Sequence, residues 1–398
     1  MISKLIGSIL LIVGTSIGAG MLALPVATAQ LGFVGSLILL FACWFVMTAG
    51  AFFILEVNLW LPANSNLISM ARATLGPWGQ ILAWLTYFLL LYSLLCAYIA
   101  GGSDIFRNLL ALVGVHMPVW AASLLFTLVF GLIVYLGIRI IDYANRGLMF
   151  FKLGSYFLLV IFLAPFVDSE KLISGNLSQL MSATAILVTM TSFGYAAIVP
   201  SLRIYFAGDV KKLRLAIIIG SLIPLVCYVL WDMVIMGLIP LDGDKGLIAI
   251  LHSKDTTSDL VNTLSAASAR NSSAFFIKLF TSISVVTSFL GVALCLVDFL
   301  ADGLQIEKKG AKKFLLHLLT FAPPVLIVLF FPDIFVQALE YAGIYCVILL
   351  ILLPAWMVWN GRYRRQLAHG YQAPGGKGLV IAVMAIALIL LALPFVKP

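Results

Sequence analysis

The chain has 398 residues, of which 63% are hydrophobic and 10% charged, against roughly 25% charged in an ordinary soluble domain. A compact soluble body needs a polar skin that this composition does not provide. A soluble enzyme, a nucleic-acid binder and a disordered chain are excluded, and the sequence reads as an all-α polytopic membrane protein. The net charge of +8 reflects Lys and Arg gathered in short loops on one side of a bilayer, not a nucleic-acid partner.

A bilayer core takes roughly 20 apolar residues per helix. Eleven such runs follow one another: about 5–30, 33–57, 79–102, 118–138, 148–167, 182–203, 213–239, 274–302, 314–331, 335–358 and 379–396, here spans 1 to 11. Pro62, Gly76-Pro77, Pro118, Pro240, Pro332 and Pro374-Gly375-Gly376 punctuate their boundaries, as residues that stop helices do. The whole chain is one transmembrane unit. The longest loop, 240–273, is polar, and its Asp242-Gly243-Asp244-Lys245-Gly246 string lacks the further ligands of a calcium loop, so it reads as a surface turn. Ala27-Thr28-Ala29 imitates a signal-peptidase site, but the single Lys4 and a long run broken by Gly14, Gly18 and Gly20 argue against cleavage.

The five cysteines lie in apolar stretches without metal-site or disulfide spacing, and the four histidines are scattered. Neither H-E-x-x-H nor G-x-S-x-G occurs, so no enzyme, metal or cofactor is expected. With the N-terminus inside, sixteen basic residues fall on the inner side, from Lys4, Arg72, Arg139 and Arg146 to Lys377, against seven outside, among them Arg270 and Lys397. The positive-inside rule then puts the N-terminus in the cytoplasm and the C-terminus in the periplasm.

Span 1 contains Thr15-Ser16-Ile17-Gly18 and ends near Pro25; span 6 contains Thr191-Ser192-Phe193-Gly194 and ends near Pro200. The segments lie five spans apart, so the second runs the opposite way through the bilayer. That is the pattern of an inverted repeat with two discontinuous helices: repeat one over about 5–167, repeat two over about 182–358, and an extra helix at 379–396. A helix broken at mid-membrane leaves amide and carbonyl groups that lipid cannot satisfy, so they must line a polar cavity. Amides near Gly18, Ala19 and Gly20, at the positive end of a half-helix, suit a carboxylate. Carbonyls around Ser16, Ser192 and Phe193 suit an ammonium. One zwitterionic amino acid satisfies both sets, although the glycines alone also fit close helix packing.

The strings Gly14 to Pro25 and Thr191-Ser192-Phe193-Gly194-Tyr195 resemble the hydroxy and aromatic amino acid permease family. So do Asn145-Arg146 with Lys152, Lys211-Lys212-Leu213-Arg214, Ala293 to Leu300 and Tyr341-Ala342-Gly343. The resemblance implies membership of the amino acid/polyamine superfamily and a 5+5 inverted-repeat, leucine-transporter-type fold with broken helices 1 and 6 and an eleventh helix. It further implies proton-driven uptake of an aromatic amino acid, L-tyrosine foremost, across a bacterial inner membrane. One departure is visible: relatives often carry His-Gly where this chain has Ala196-Ala197.

The expected substrate residues are Thr15, Ser16, Gly18, Ala19, Gly20, Ser192, Phe193, Gly194, Tyr195 and, on span 3, Tyr92. Aromatic side chains can stack on an aromatic substrate, although packing is the better fit for Tyr92 and its neighbour Tyr98. Charges inside spans cost about 2.5–3.5 kcal/mol on insertion scales and so are functional candidates. Lys152 either snorkels to the inner interface or points toward the hydroxyls of Thr287 and Ser288 on span 8. In relatives of the resembled fold that corner holds sodium; a Lys there supplies the positive charge itself and can exchange a proton during transport. Glu56 and Asp298 are further coupling candidates, each with an interfacial or ion-pair alternative, while Asp232 and Glu340 lie nearer the outer side. A tryptophan or other neutral amino acid permease and a sodium-coupled symporter remain the alternatives, with a channel or an intramembrane enzyme as the alternatives of a different class.

Overall fold

In lipid every backbone polar group must be satisfied within the protein, which favours helices for apolar runs of this length. The computed structural model describes residues 2–267 and 271–395, with side chains outside 2–4, 138–146 and 271–272. The side chains of Lys4, Arg139, Asn145, Arg146, Arg270 and Lys397 thus lie outside the described residues. Among the described residues ten helices are long and apolar enough to cross a membrane, or eleven if a helix pair bent by 52° is counted as one span. The protein is a multi-pass membrane protein.

That bent pair is span 1, made of Ile2–Ser16 (half 1a) and Ala19–Ala27 (half 1b). Spans 2 to 5 are Gly32–Trp60, Pro77–Leu112, Val119–Leu136 and Ile138–Leu163. Span 6 consists of Ala183–Ser192, a 3-10 turn Gly194–Ile198 and Val199–Tyr205. Spans 7, 8 and 9 are Val210–Leu238, Asn271–Gly303 and Gly310–Phe330. Span 10 runs through Phe335–Cys346, a π-helical stretch Val347–Leu352 and Leu353–Tyr363, and span 11 is Gly376–Ala392. The second break is therefore a tightened turn inside a continuous crossing, not an open loop like the first.

Small residues set the closest helix approaches. A β-carbon on Gly50 would overlap the Leu350 carbonyl, and one on Gly343 the Leu187 carbonyl, so spans 2 and 6 both press against span 10. Phe41, Phe45, Leu128, Phe150 and Leu388 are exposed on the outside of the bundle, as expected of surfaces that meet hydrocarbon.

The segment 240–273 is more ordered than its polarity suggests. The 242–246 string is a turn, closed by the Gly246 amide donating to Gly243 O at 2.9 Å. Two short helices follow, Leu247–Leu251 and Thr256–Ala267. The second is pinned to span 3, where Asp104 accepts from Thr257 Oγ1 at 2.5 Å, the Ser258 amide at 2.8 Å and Ser258 Oγ at 2.6 Å. Arg107 adds an ion pair to Asp255 at 2.5 Å.

The opposite end carries Arg72, Arg203, Lys308 and Arg362 and is the basic end of the bundle. There Glu56 is fully buried and accepts from Arg362 Nε at 2.7 Å and Nη2 at 2.5 Å, while the Ala373 amide donates to it at 2.7 Å. This fork joins span 2, the end of span 10 and the segment leading into span 11. Removing one partner of a buried pair costs about 3–5 kcal/mol, because the other charge stays desolvated. Arg362→Met is accordingly expected to lower the melting temperature in detergent markedly, with Glu56→Gln added to it restoring much of the loss. Equal melting temperatures for wild type and Arg362→Met would contradict the tie.

Candidate functional site

The span 1 helix ends because the backbone at Gly18 is extended (φ −149°, ψ −157°). A β-carbon at Gly18 would overlap Ser288 Oγ, and one at Gly20 would sit 3.1 Å from Ser192 Oγ. The glycines therefore let the break touch span 8 on one side and span 6 on the other. Ser288 Oγ accepts from the Ala19 amide at 3.0 Å, so one of the amides expected to face a carboxylate is held by span 8.

Lys152 settles which way its side chain runs. It is 1% exposed, and its ammonium donates to Ile17 O at 2.6 Å and Thr287 Oγ1 at 3.3 Å. It does not snorkel: it reaches from span 5 into the corner between the span 1 break and span 8. Thr287 Oγ1 in turn bonds to Ile283 O at 2.9 Å and Ser284 O at 3.1 Å within its own helix. A lone ammonium in a dry interior is stabilised by such oxygen acceptors, and the carbonyl freed by the break is the shortest of them.

A residue that the sequence did not single out joins the two breaks. Tyr228, on span 7, is fully buried, and its hydroxyl lies 2.6 Å from Ser16 O and 2.7 Å from Ser192 O. Its single proton is shared between two carbonyls left by interrupted helices. The carbonyls expected to receive an ammonium thus already have a donor here, each keeping a second lone pair. Phe193 is fully buried and packs edge-on against the Tyr228 ring, centroids 5.1 Å apart. Tyr195 is also fully buried, its hydroxyl 2.9 Å from that of Thr48 on span 2. Nothing in the motif of span 6 points to Tyr228; a tyrosine inside an apolar run reads as packing.

The other expected residues divide. Ser16 is buried with no partner for its hydroxyl, and Gly194 sits beside Cys346. Thr15 is exposed, its hydroxyl bonded to Leu11 O and Ile12 O in its own helix. Tyr92 donates to Leu319 O of span 9 at 2.6 Å, a contact that ties two spans. Tyr98 is buried with its phenol beside Ser288, close to the span 1 break. Glu56 belongs to the distant fork with Arg362, and Asp298 pairs with Lys308 at 2.5 Å in an exposed position.

A cavity of about 640 Å³ opens at the basic end. It is lined by Trp84 and Tyr87 of span 3, Ala197 and Pro200 of span 6, and Cys295, Asp298 and Phe299 of span 8, with Arg72 at its rim. At the other end, the Asn176 amide donates to Gln30 O at 2.8 Å, and the helix Leu247–Leu251 packs on half 1b. The breaks therefore lie between a covered end and an open one. Among the described residues no group of three His, Cys, Asp or Glu side chains has the arrangement of a metal site.

Residues 1–394 match the sequence profile of the Tryptophan/tyrosine permease family. The chain belongs to the tryptophan/tyrosine permease family. It is similar to the tyrosine-specific transport system 1 of Haemophilus influenzae, 33% identical over 394 residues, covering 99% of this chain and 97% of that one. It is also similar to the tryptophan-specific transport protein of Pseudomonas aeruginosa, 31% identical over 386 residues (96% and 92%). A third relative, glutamine transporter 2 of Aliivibrio fischeri, is 32% identical over 397 residues (98% of each). The relatives are transport proteins and not enzymes, and so is this permease.

Proposed function

We propose that the permease is a secondary active importer of an aromatic amino acid, tyrosine foremost, driven by proton symport across the bacterial inner membrane. The observation that carries the reading is Lys152 Nζ, 2.6 Å from Ile17 O at the broken span 1. A resident ammonium there takes the place that a bound cation would occupy, and a group able to gain and lose a proton replaces an ion that must come and go. The half-helix beginning at Ala19 directs its positive end at the break, which suits the substrate carboxylate. Ser16, Ser192 and Phe193 present the carbonyls for the ammonium, with Tyr228 yielding one or both of its bonds on binding.

The basic end is cytoplasmic by the positive-inside rule, and the cavity there is the inner vestibule. The covered end is periplasmic. Alternating access then moves the half-helices of spans 1 and 6 against the rest of an inverted-repeat scaffold, opening the covered end as the vestibule closes. Cys295 reports this directly, since of the five cysteines it alone is exposed and it lines the vestibule. A membrane-impermeant maleimide is expected to modify it from the cytoplasmic side, and saturating substrate to slow that reaction. Labelling that is equally fast from both faces would contradict the assignment.

The substrate is tested by counterflow of labelled tyrosine in proteoliposomes with tyrosine, tryptophan, phenylalanine, leucine or glutamine as competitor. Strongest competition by tyrosine supports the reading. A second reading rests on Ala196-Ala197 and on the glutamine transporter among the relatives. Ala196 is fully buried and Ala197 lines the vestibule, so the small side chain at 197 leaves room there that a larger one would fill. Competition by glutamine but not tyrosine would favour that reading and overturn the first.

A further inference from the structure

A second buried ionisable group lies away from the Lys152 corner. Asp232, on span 7, is fully buried; its Oδ2 is hydrogen-bonded to Ser36 Oγ on span 2, and its Oδ1 has no partner. Ser36 Oγ is in turn 3.3 Å from Thr28 Oγ1, at the end of half 1b, and Thr28 Oγ1 is 2.8 Å from Leu24 O. Among the described residues no Lys, Arg or His is paired with Asp232. Of the titratable groups on the surrounding elements, Glu170, on the helix Ser169–Ile173 packed on span 7, is exposed, Lys152 is held at the span 1 break, and the following have partners of their own. Tyr156 of span 5 donates to Cys227 O at 2.7 Å, and Lys171, toward the covered end, donates to Leu238 O at 2.7 Å. Asp259 of the helix Thr256–Ala267 accepts from Ser253, and Glu56 is at the opposite end of span 2 with Arg362.

Counting protons along this chain decides its state. If Asp232 is ionised, Ser36 donates to it, and a buried anion keeps one donor, no counter-charge and an empty oxygen. If Asp232 carries a proton, it donates to Ser36, Ser36 donates to Thr28, and Thr28 donates to Leu24 O. Every hydroxyl proton then has one acceptor and no charge is buried. An unpaired buried carboxylate costs far more than a neutral, hydrogen-bonded acid.

We infer that Asp232 is a proton-binding site separate from Lys152, filled while half 1b is packed on spans 2 and 7, and emptied to water when the covered end opens. The Thr28–Ser36–Asp232 chain joins the end of half 1b to spans 2 and 7, so moving half 1b off them would break it. On separation the O–H bond of the Asp232 carboxyl breaks, the proton passes to entering water and the carboxylate remains, now hydrated. The covered state is then accessible only to the protonated form. This goes beyond the proposed symport and holds whichever cation drives transport.

The test uses the full-length protein in proteoliposomes and two readouts. Infrared spectra at neutral pH are expected to contain the carbonyl stretch of a protonated carboxylic acid in a dry site, absent in Asp232→Asn and shifted in frequency in Ser36→Ala. In tyrosine counterflow, which needs no ion gradient, wild type is expected to lose activity about tenfold per pH unit above the titration of this acid. Asp232→Asn, permanently neutral and still able to donate to Ser36, should stay within about twofold of its neutral-pH rate over the same range. No such band in wild type, or a band unchanged in both variants, overturns the protonated state. A parallel alkaline loss in Asp232→Asn overturns its link to opening. Should Asp232→Asn fail to fold, the Ser36→Ala frequency shift decides the first point, and an unshifted band overturns it. Failure of proton-driven accumulation with the infrared band intact would count against the symport reading alone.

Discussion

Lys152→Ala is expected to abolish accumulation of substrate against its gradient under an imposed pH gradient. The ammonium donates to Ile17 O, 2.6 Å away, and to Thr287 Oγ1 at 3.3 Å. Truncation removes the positive charge at the break and leaves a mid-membrane carbonyl unsatisfied, which costs about 1–3 kcal/mol. A factor of ten in an equilibrium corresponds to about 1.4 kcal/mol, so the tie between span 5 and the span 1 break would weaken about tenfold or more even before coupling is considered. The coupling loss is the larger effect, because Lys152 supplies the positive charge at the span 1 break. Uptake and counterflow measured side by side separate the two. Accumulation should fall to the level reached without a gradient, while counterflow keeps part of its rate. Full proton-driven accumulation by Lys152→Ala would remove this residue from the mechanism.

Tyr228→Phe should produce the next largest loss, at a position outside the recognisable motifs. The ring stays, and with it the edge-on contact to Phe193 at 5.1 Å, so any change is assignable to one hydroxyl. That hydroxyl joins Ser16 O and Ser192 O across the two interrupted helices, at 2.6 and 2.7 Å. Its deletion strands both carbonyls in a buried site at about 1–3 kcal/mol apiece. The expected result is a fall in counterflow of about tenfold or more, by the same conversion. Tyr156→Phe is the control. Its hydroxyl bonds one carbonyl, Cys227 O, at 2.7 Å and touches neither break, so it should lower the melting temperature with little change in counterflow. Similar transport losses in the two variants would show that burial, not bridging, accounts for the effect.

What the sequence makes legible here follows the physics of each feature. The crossings are plain because a bilayer imposes a length on every apolar run, and Pro and Gly mark where each helix stops. The first break is plain because Gly18 and Gly20 interrupt such a run, and Lys152 stands out as a charge within another. The second break is only partly legible: Thr191-Ser192-Phe193-Gly194 marks its place, but the chain tightens into the 3-10 turn Gly194–Ile198 and does not unwind. Tertiary partners are illegible, since Glu56 meets Arg362 and Tyr92 meets Leu319 across intervals that carry no local signal. Tyr228 escapes for another reason. Aromatic residues make up 12% of the chain, and only the two carbonyls in front of its hydroxyl distinguish it from the rest. The helices within 240–273 are hidden because what orders them is Asp104, far away in the sequence.

Uptake of labelled tyrosine into proteoliposomes of the wild-type protein, under a pH gradient without sodium and then under a sodium gradient at equal pH, tests the role of the Lys152 corner most directly. Accumulation under the pH gradient and none under sodium is the expected result, since an ammonium already occupies the place a cation would take. Accumulation that requires sodium would contradict it, leaving the fold and family in place and Lys152 as a structural cation.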